Sequence, residues 1–113
     1  MIERIDAGLR MSKAVIHNGT IYTAGHVDDT ASDVAGQTQA ILARIESMLA
    51  QAGSDKSKVL SATIWLADIA TFEEMNAVWD AWISPGNPPA RATVEATLAG
   101  PQYKVEIAMI AAR

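Results

Sequence analysis

Asn18-Gly19 stands between two short alternating runs, Ala14-Val15-Ile16-His17 and Thr20-Ile21-Tyr22-Thr23. Asn-Gly is the preferred two-residue hairpin connection because both central positions need positive φ, so these runs must pair antiparallel. Ile2 to Asp6 adds a short strand before them, and the polar stretch Asp28 to Asp33 reads as a turn. The period then changes: Val34, Thr38, Ile41, Leu42, Ile45, Met48 and Leu49 recur at helical spacing and predict a helix over roughly 32–51. Ser32 or Thr30 can cap its start, and Gly53 lies just past its end, where a left-handed residue is favoured. Val59 to Ala67 is a nearly continuous apolar run that suits a strand buried on both sides, with Leu60, Ala62, Ile64 and Leu66 on one face and Thr63 and Trp65 on the other. Thr71-Phe72-Glu73-Glu74 matches a capping box, and Phe72, Met75, Val78, Trp79 and Trp82 form the apolar side of a second helix ending before Pro85-Gly86. Strands at Arg91 to Leu98 and Tyr103 to Ala112, separated by Gly100-Pro101, close the chain. The order is βββαβαββ, an α+β class in which two helices cover one face of a single sheet.

The other face then needs a partner. The expected mixed faces carry Trp65 and Ile110 beside Arg91 and Glu106, a composition that suits a partly polar interface between copies of the chain. Arg91 draws most attention. Pro88 and Pro89 cannot donate backbone hydrogen bonds and hold φ near about −65°, so the loop before Arg91 is stiff and the strand begins at it. Alternation places Arg91, Thr93, Glu95 and Thr97 on one side and Ala92, Val94, Ala96 and Leu98 on the other. A guanidinium offers a fixed fork of donors that fits a carboxylate or phosphate, so Arg91 suits a small anionic ligand. A salt bridge to Glu95 or Glu106 is the competing reading.

At 113 residues, half of them hydrophobic, the chain can fill one core, so a single domain over 1–113 is expected. No apolar stretch reaches the roughly 18 residues a membrane span needs, and Met1-Ile2-Glu3-Arg4 does not begin a signal peptide, which points to a cytoplasmic protein without a membrane partner. There is no cysteine, and His17 and His26 lack carboxylates at ligand spacing, so no metal or cofactor is expected. A net charge of −4 with no basic run argues against a nucleic-acid partner.

Thr23-Ala24-Gly25 after the hairpin, Asn76 in the second helix, Pro89-Ala90-Arg91 and Lys104-Val105-Glu106-Ile107 together resemble the RidA (YjgF) family over almost the whole chain. Ala62-Thr63-Ile64, Leu66-Ala67-Asp68, Met75-Asn76, Trp79-Asp80-Ala81-Trp82 and Tyr103-Lys104 bring it nearest to the YoaB-like members. The resemblance implies a chorismate-mutase-like fold and a homotrimer whose sheets form a central barrel, with ligand clefts between subunits. It also implies hydrolysis of reactive 2-imino (enamine) acids to 2-keto acids and ammonia. On the family's pattern Arg91 grips the substrate carboxylate. Thr93 stands where a cysteine's backbone helps hold the imine nitrogen or the water.

The sequence departs from that pattern in three places. Ala108 replaces the glutamate that orients water, Met11 replaces a tyrosine, and Ala24 replaces a serine. Imine hydrolysis needs a placed water and proton transfer toward departing ammonia. Glu106, two residues before Ala108 on the same strand face, is one substitute, and Glu95 and His26 are others. Two functions follow: a deaminase of imino acids using Arg91, Thr93 and Glu106, with Met11, Ala24 and Ala108 lining the cleft, or a trimer that binds a small carboxylate metabolite without chemistry. An apolar Met11 and Ala24 favour a ligand with an apolar side chain.

Overall fold

The computed structural model describes residues 1–113. Its strands are β1 (Glu3–Ile5), β2 (Ala14–His17), β3 (Thr20–Thr23), β4 (Val59–Leu66), β5 (Ala90–Glu95) and β6 (Val105–Ala112), with helices α1 (Val34–Gln51) and α2 (Phe72–Trp82). The strands form one mixed sheet in the order β1-β2-β3-β6-β4-β5, so the expected α+β arrangement is present. Every pairing is antiparallel except β4 with β5, which α2 joins as a crossover. Asn18 and Gly19 take the positive φ values, 51° and 74°, that the hairpin requires.

The core lies between the helices and one sheet face. Ile16, Ile21, Ala62, Ile64, Leu66, Val105, Ile107 and Met109 meet Ile41, Leu42, Ile45 and Leu49 of α1 and Met75 and Trp79 of α2, all buried. No helix is long and apolar enough to cross a membrane.

Several local expectations change. Asp33, not Ser32 or Thr30, caps α1, its carboxylate accepting from the Gly36 amide at 2.8 Å. The capping box at Thr71 does not form: a short 3-10 turn, Ile69–Thr71, precedes α2, and the Thr71 hydroxyl donates to the Asp68 carbonyl. β4 is buried on one face only within the chain, and Leu60 is 52% exposed. A bulge between Val59 and Ser61 displaces Leu60 from the core face, where Val59 and Ala62 take its place.

β5 presents the opposite face to that expected. The register Ala62↔Arg91, Ile64↔Thr93 and Leu66↔Glu95 puts Arg91, Thr93 and Glu95 on the helix-covered side, while Ala92 and Val94 align with Thr63 and Trp65 on the open side. The open face therefore carries Tyr22, Val94 and Ile110, all exposed, beside Trp65.

Candidate functional site

β5 is an edge strand, and the residues around Arg91 come from two consecutive elements, α2 and β5. The guanidinium carbon lies 5.7 Å from the centre of the Phe72 ring and 5.2 Å from that of Trp79. Aromatic faces attract a cation and orient its planar fork. Arg91 has no carboxylate partner: the two ion pairs of the chain are Arg44–Asp28 and Arg113–Glu3. The competing salt bridges are absent because Glu95 accepts from the Ile69 amide at 3.0 Å and Glu106 lies on the other face.

Two side-chain oxygens are buried without a hydrogen-bond partner, Thr93 Oγ1 and Asn76 Oδ1. Thr93 is two residues after Arg91 on the same strand face, and Asn76 lies one turn from both Phe72 and Trp79 on α2. Leaving such an atom unpaired costs about 1–3 kcal/mol, so both oxygens are open to a hydrogen bond from water or a ligand. An unpaired guanidinium, an unpaired amide oxygen that accepts and an unpaired hydroxyl that accepts or donates suit a small molecule that carries both an anionic group and an N–H or O–H donor. Phe72, Asn76 and Trp79 join the site only through the fold, since the sequence shows them as one helix stripe. An amide between Phe72 and Trp79 on an apolar helix stripe is the signal that finds them.

The remaining candidates lie elsewhere. Met11 is exposed in the β1–β2 loop, where its carbonyl accepts from the Gly8 amide. Ala24 donates its amide to the Lys13 carbonyl, and its own carbonyl faces the Thr23 hydroxyl and His26 Nδ1, each at 2.9 Å. Glu106 is opposite Trp65 on the open face, its carboxylate filling the space that a side chain at Gly25 would occupy. Ala108, opposite Thr63 on that face, lines a shallow hollow with Tyr22 and Ile110. Arg91 and Thr93 thus share one side of the sheet and Glu106 and Ala108 the other, correcting the expectation that Arg91 stands beside Glu106.

His26 is 8% exposed and bridges Ile107 through both backbone bonds. Burial lowers its pKa from the usual 6.5, the Ala24 hydrogen bond opposes this, and Lys13 and Arg44 lower it further. His26 is therefore neutral near pH 7. Its contribution to stability is complete above about pH 6.5 and is lost as pH falls through the lower folded value, because the unfolded chain binds the proton first. Urea midpoints of the wild type should fall as pH drops from about 6.5 toward that value and level off below it, and His26→Gln should flatten the step. An unchanged step in the variant places the titrating group elsewhere.

The comparisons agree with this architecture. RutC family protein YoaB of Escherichia coli (strain K12) is 49% identical over 111 residues, spanning 98% of this chain and 97% of that protein. The crystal structure of NMB1025, a member of the YjgF protein family from Neisseria meningitidis, superposes with a TM-score of 0.98 at 45% identity, covering 100% of this chain and 95% of that one. A 2-iminobutanoate/2-iminopropanoate deaminase of Escherichia coli (strain K12) is 27% identical over 108 residues, 94% of this chain and 84% of that protein. A family model described as Endoribonuclease L-PSP matches residues 1–113 from end to end, and with it this chain belongs to the RidA (YjgF) family.

Proposed function

We propose that the protein, acting as a single domain over 1–113, binds small 2-imino or enamine acids at Arg91 and hydrolyses them to 2-keto acids and ammonia. The observation that carries this reading is the guanidinium of Arg91, held on Phe72 and Trp79 with no carboxylate of its own. A 2-imino acid supplies what the site lacks, a carboxylate for the fork and an N–H for an orphaned oxygen of Asn76 or Thr93. Water adds to C2 as its proton passes to the imine nitrogen, and collapse of the carbinolamine expels ammonia and leaves the ketone. The Thr93 backbone positions nitrogen or water, and Glu106 moves the proton. The kinship to a named imine deaminase supports this assignment.

Glu106 and Arg91 lie on opposite faces of one sheet, so the reaction needs a neighbouring copy to bring one subunit's Arg91 to another's Glu106, Ala108, Ala24 and Met11. A homotrimer supplies this and covers Tyr22, Trp65, Val94 and Ile110, an apolar face unusual for a lone chain. Absence of a basic run and a net charge of −4 oppose an RNA substrate.

A second reading, a trimer that holds a carboxylate metabolite without chemistry, is favoured by Met11, Ala24 and Ala108, none of which can carry a proton. Coupling a threonine dehydratase or an amino-acid oxidase to semicarbazide trapping separates the two. The deaminase suppresses imine capture at catalytic amounts; the binding protein leaves capture unchanged while calorimetry detects a 2-keto acid.

A further inference from the structure

The two helices lie side by side in the same direction. Glu74 near the start of α2 accepts from the Ala35 amide at the start of α1, and Trp82 at the end of α2 donates through Nε1 to Glu46, both at 3.0 Å. Between these two clasps runs an open groove of about 600 Å³ whose floor includes Ala43, Ala77, Val78 and Ala81, with no lysine or arginine in its lining. Lys56, the nearby cation, is already engaged, donating to the Trp82 carbonyl at 2.8 Å and lying 5.5 Å from that ring's centre.

Each rim carboxylate is fixed through one oxygen, Oε2 of Glu74 and Oε1 of Glu46, and has no protein partner on the other. Ala35 and Glu46 are 11 residues apart on α1, so the two acidic clasps stand about 16 Å apart along the groove. Two pre-oriented acceptors at the ends of an apolar trough match a helix that carries leucine-like side chains between two basic residues. Eleven residues make three turns and return to the same helix face, so that spacing fits a partner helix laid along the trough.

We infer that the α1/α2 groove docks a basic amphipathic helix of another protein, a role separate from the metabolite site. Charge selects this occupant. A second copy of the chain would bring an identical acidic rim against the first, and an anionic membrane surface would be repelled in the same way. The groove lies on the helix layer, opposite the open sheet face, so a neighbour covering that face leaves it accessible.

The test uses the full chain and a fluorescent peptide of about 18 residues, alanine and leucine with lysines eleven apart on the leucine face, beside a twin with glutamates instead. Anisotropy should show the lysine peptide binding several-fold tighter, since two exposed ion pairs add modestly to its affinity and the glutamate twin meets like charge at the same two places. Glu46→Gln with Glu74→Gln should erase that preference, since glutamine still accepts from the Trp82 indole and the Ala35 amide and the melting curve stays put. Ala77→Arg should block both peptides. Equal binding of the two peptides, equal binding to wild type and the glutamine variant, or no binding at all overturns the proposal. Loss of the protein's own assembly on Ala77→Arg also overturns it, by giving the groove to a second copy.

Discussion

Arg91→Ala is expected to weaken binding of a 2-keto acid by about 30-fold or more and to abolish suppression of imine capture, with little loss of fold. Truncating one member of a buried, hydrogen-bonded charge pair costs about 2–5 kcal/mol, and about 1.4 kcal/mol is a factor of ten. Stability should hold because Arg91 stands on an edge strand and is bound to no other side chain by a hydrogen bond or ion pair. Arg91→Lys keeps the charge but loses the planar fork and the stacking on Phe72 and Trp79, so it should recover part of the affinity. Arg91→Met, which keeps packing on the rings without charge, should behave like alanine in binding and like wild type in melting. Calorimetry on this series decides the matter: if Arg91→Ala binds the keto acid as tightly as wild type, the carboxylate is held elsewhere.

Much of the architecture is written in local chemistry. Asn18-Gly19 can make one turn well, and the apolar period of 34–49 can bury one helix stripe, so both elements stand where the residues put them. The faces of β5 are not legible in this way. Alternation separates Arg91 and Thr93 from Ala92 and Val94, and the usual inference sends the apolar set inward. Here Phe72 and Trp79 give the guanidinium a cation–π seat under the helix layer, and the apolar set is left facing outward. Only the register with β4 decides between them. The bulge that turns Leu60 outward has no sequence mark either, since any residue of β4 can serve as the extra one.

Buried polar residues escape local reading for a related reason. Gln37 is fully buried because its amide donates to the Ala31 and Gln102 carbonyls and accepts from the Lys104 amide, closing a junction between α1 and the loop before β6. Asp28 reads as one acid in a polar turn, and its partner Arg44 is sixteen residues away on α1. Such residues declare themselves only when distant backbone groups converge on them.

Asp28 is expected to carry a large stability effect for a single loop residue. Its side chain is fully buried and accepts from the Thr30 amide and hydroxyl, the Ala31 amide and Arg44, whose second nitrogen donates to the Val27 carbonyl. Burial alone pushes this carboxyl up, but the Thr30 and Ala31 hydrogen bonds and the Arg44 guanidinium outweigh it and hold the pKa below the usual 3.8. Asp28→Ala strands those donors and should cost about 2–4 kcal/mol, below the figure for a fully buried pair because the Arg44 side chain is 45% exposed. A folded chain of this kind has only about 5–15 kcal/mol to lose, so the urea midpoint should move far. The contribution is complete above about pH 3.8 and disappears as pH falls through the lower folded value, so the gap between wild type and Asp28→Asn should close in acid. The same loop fixes His26 against Ile107, beside Glu106, so amide exchange at His26 and Ile107 should quicken in Asp28→Ala before the protein unfolds. A loss under about 1 kcal/mol with unchanged exchange reduces the Arg44 pair to an ordinary surface contact. The loop's hold on the Glu106 side of the site would then rest on the two backbone bonds of His26 alone.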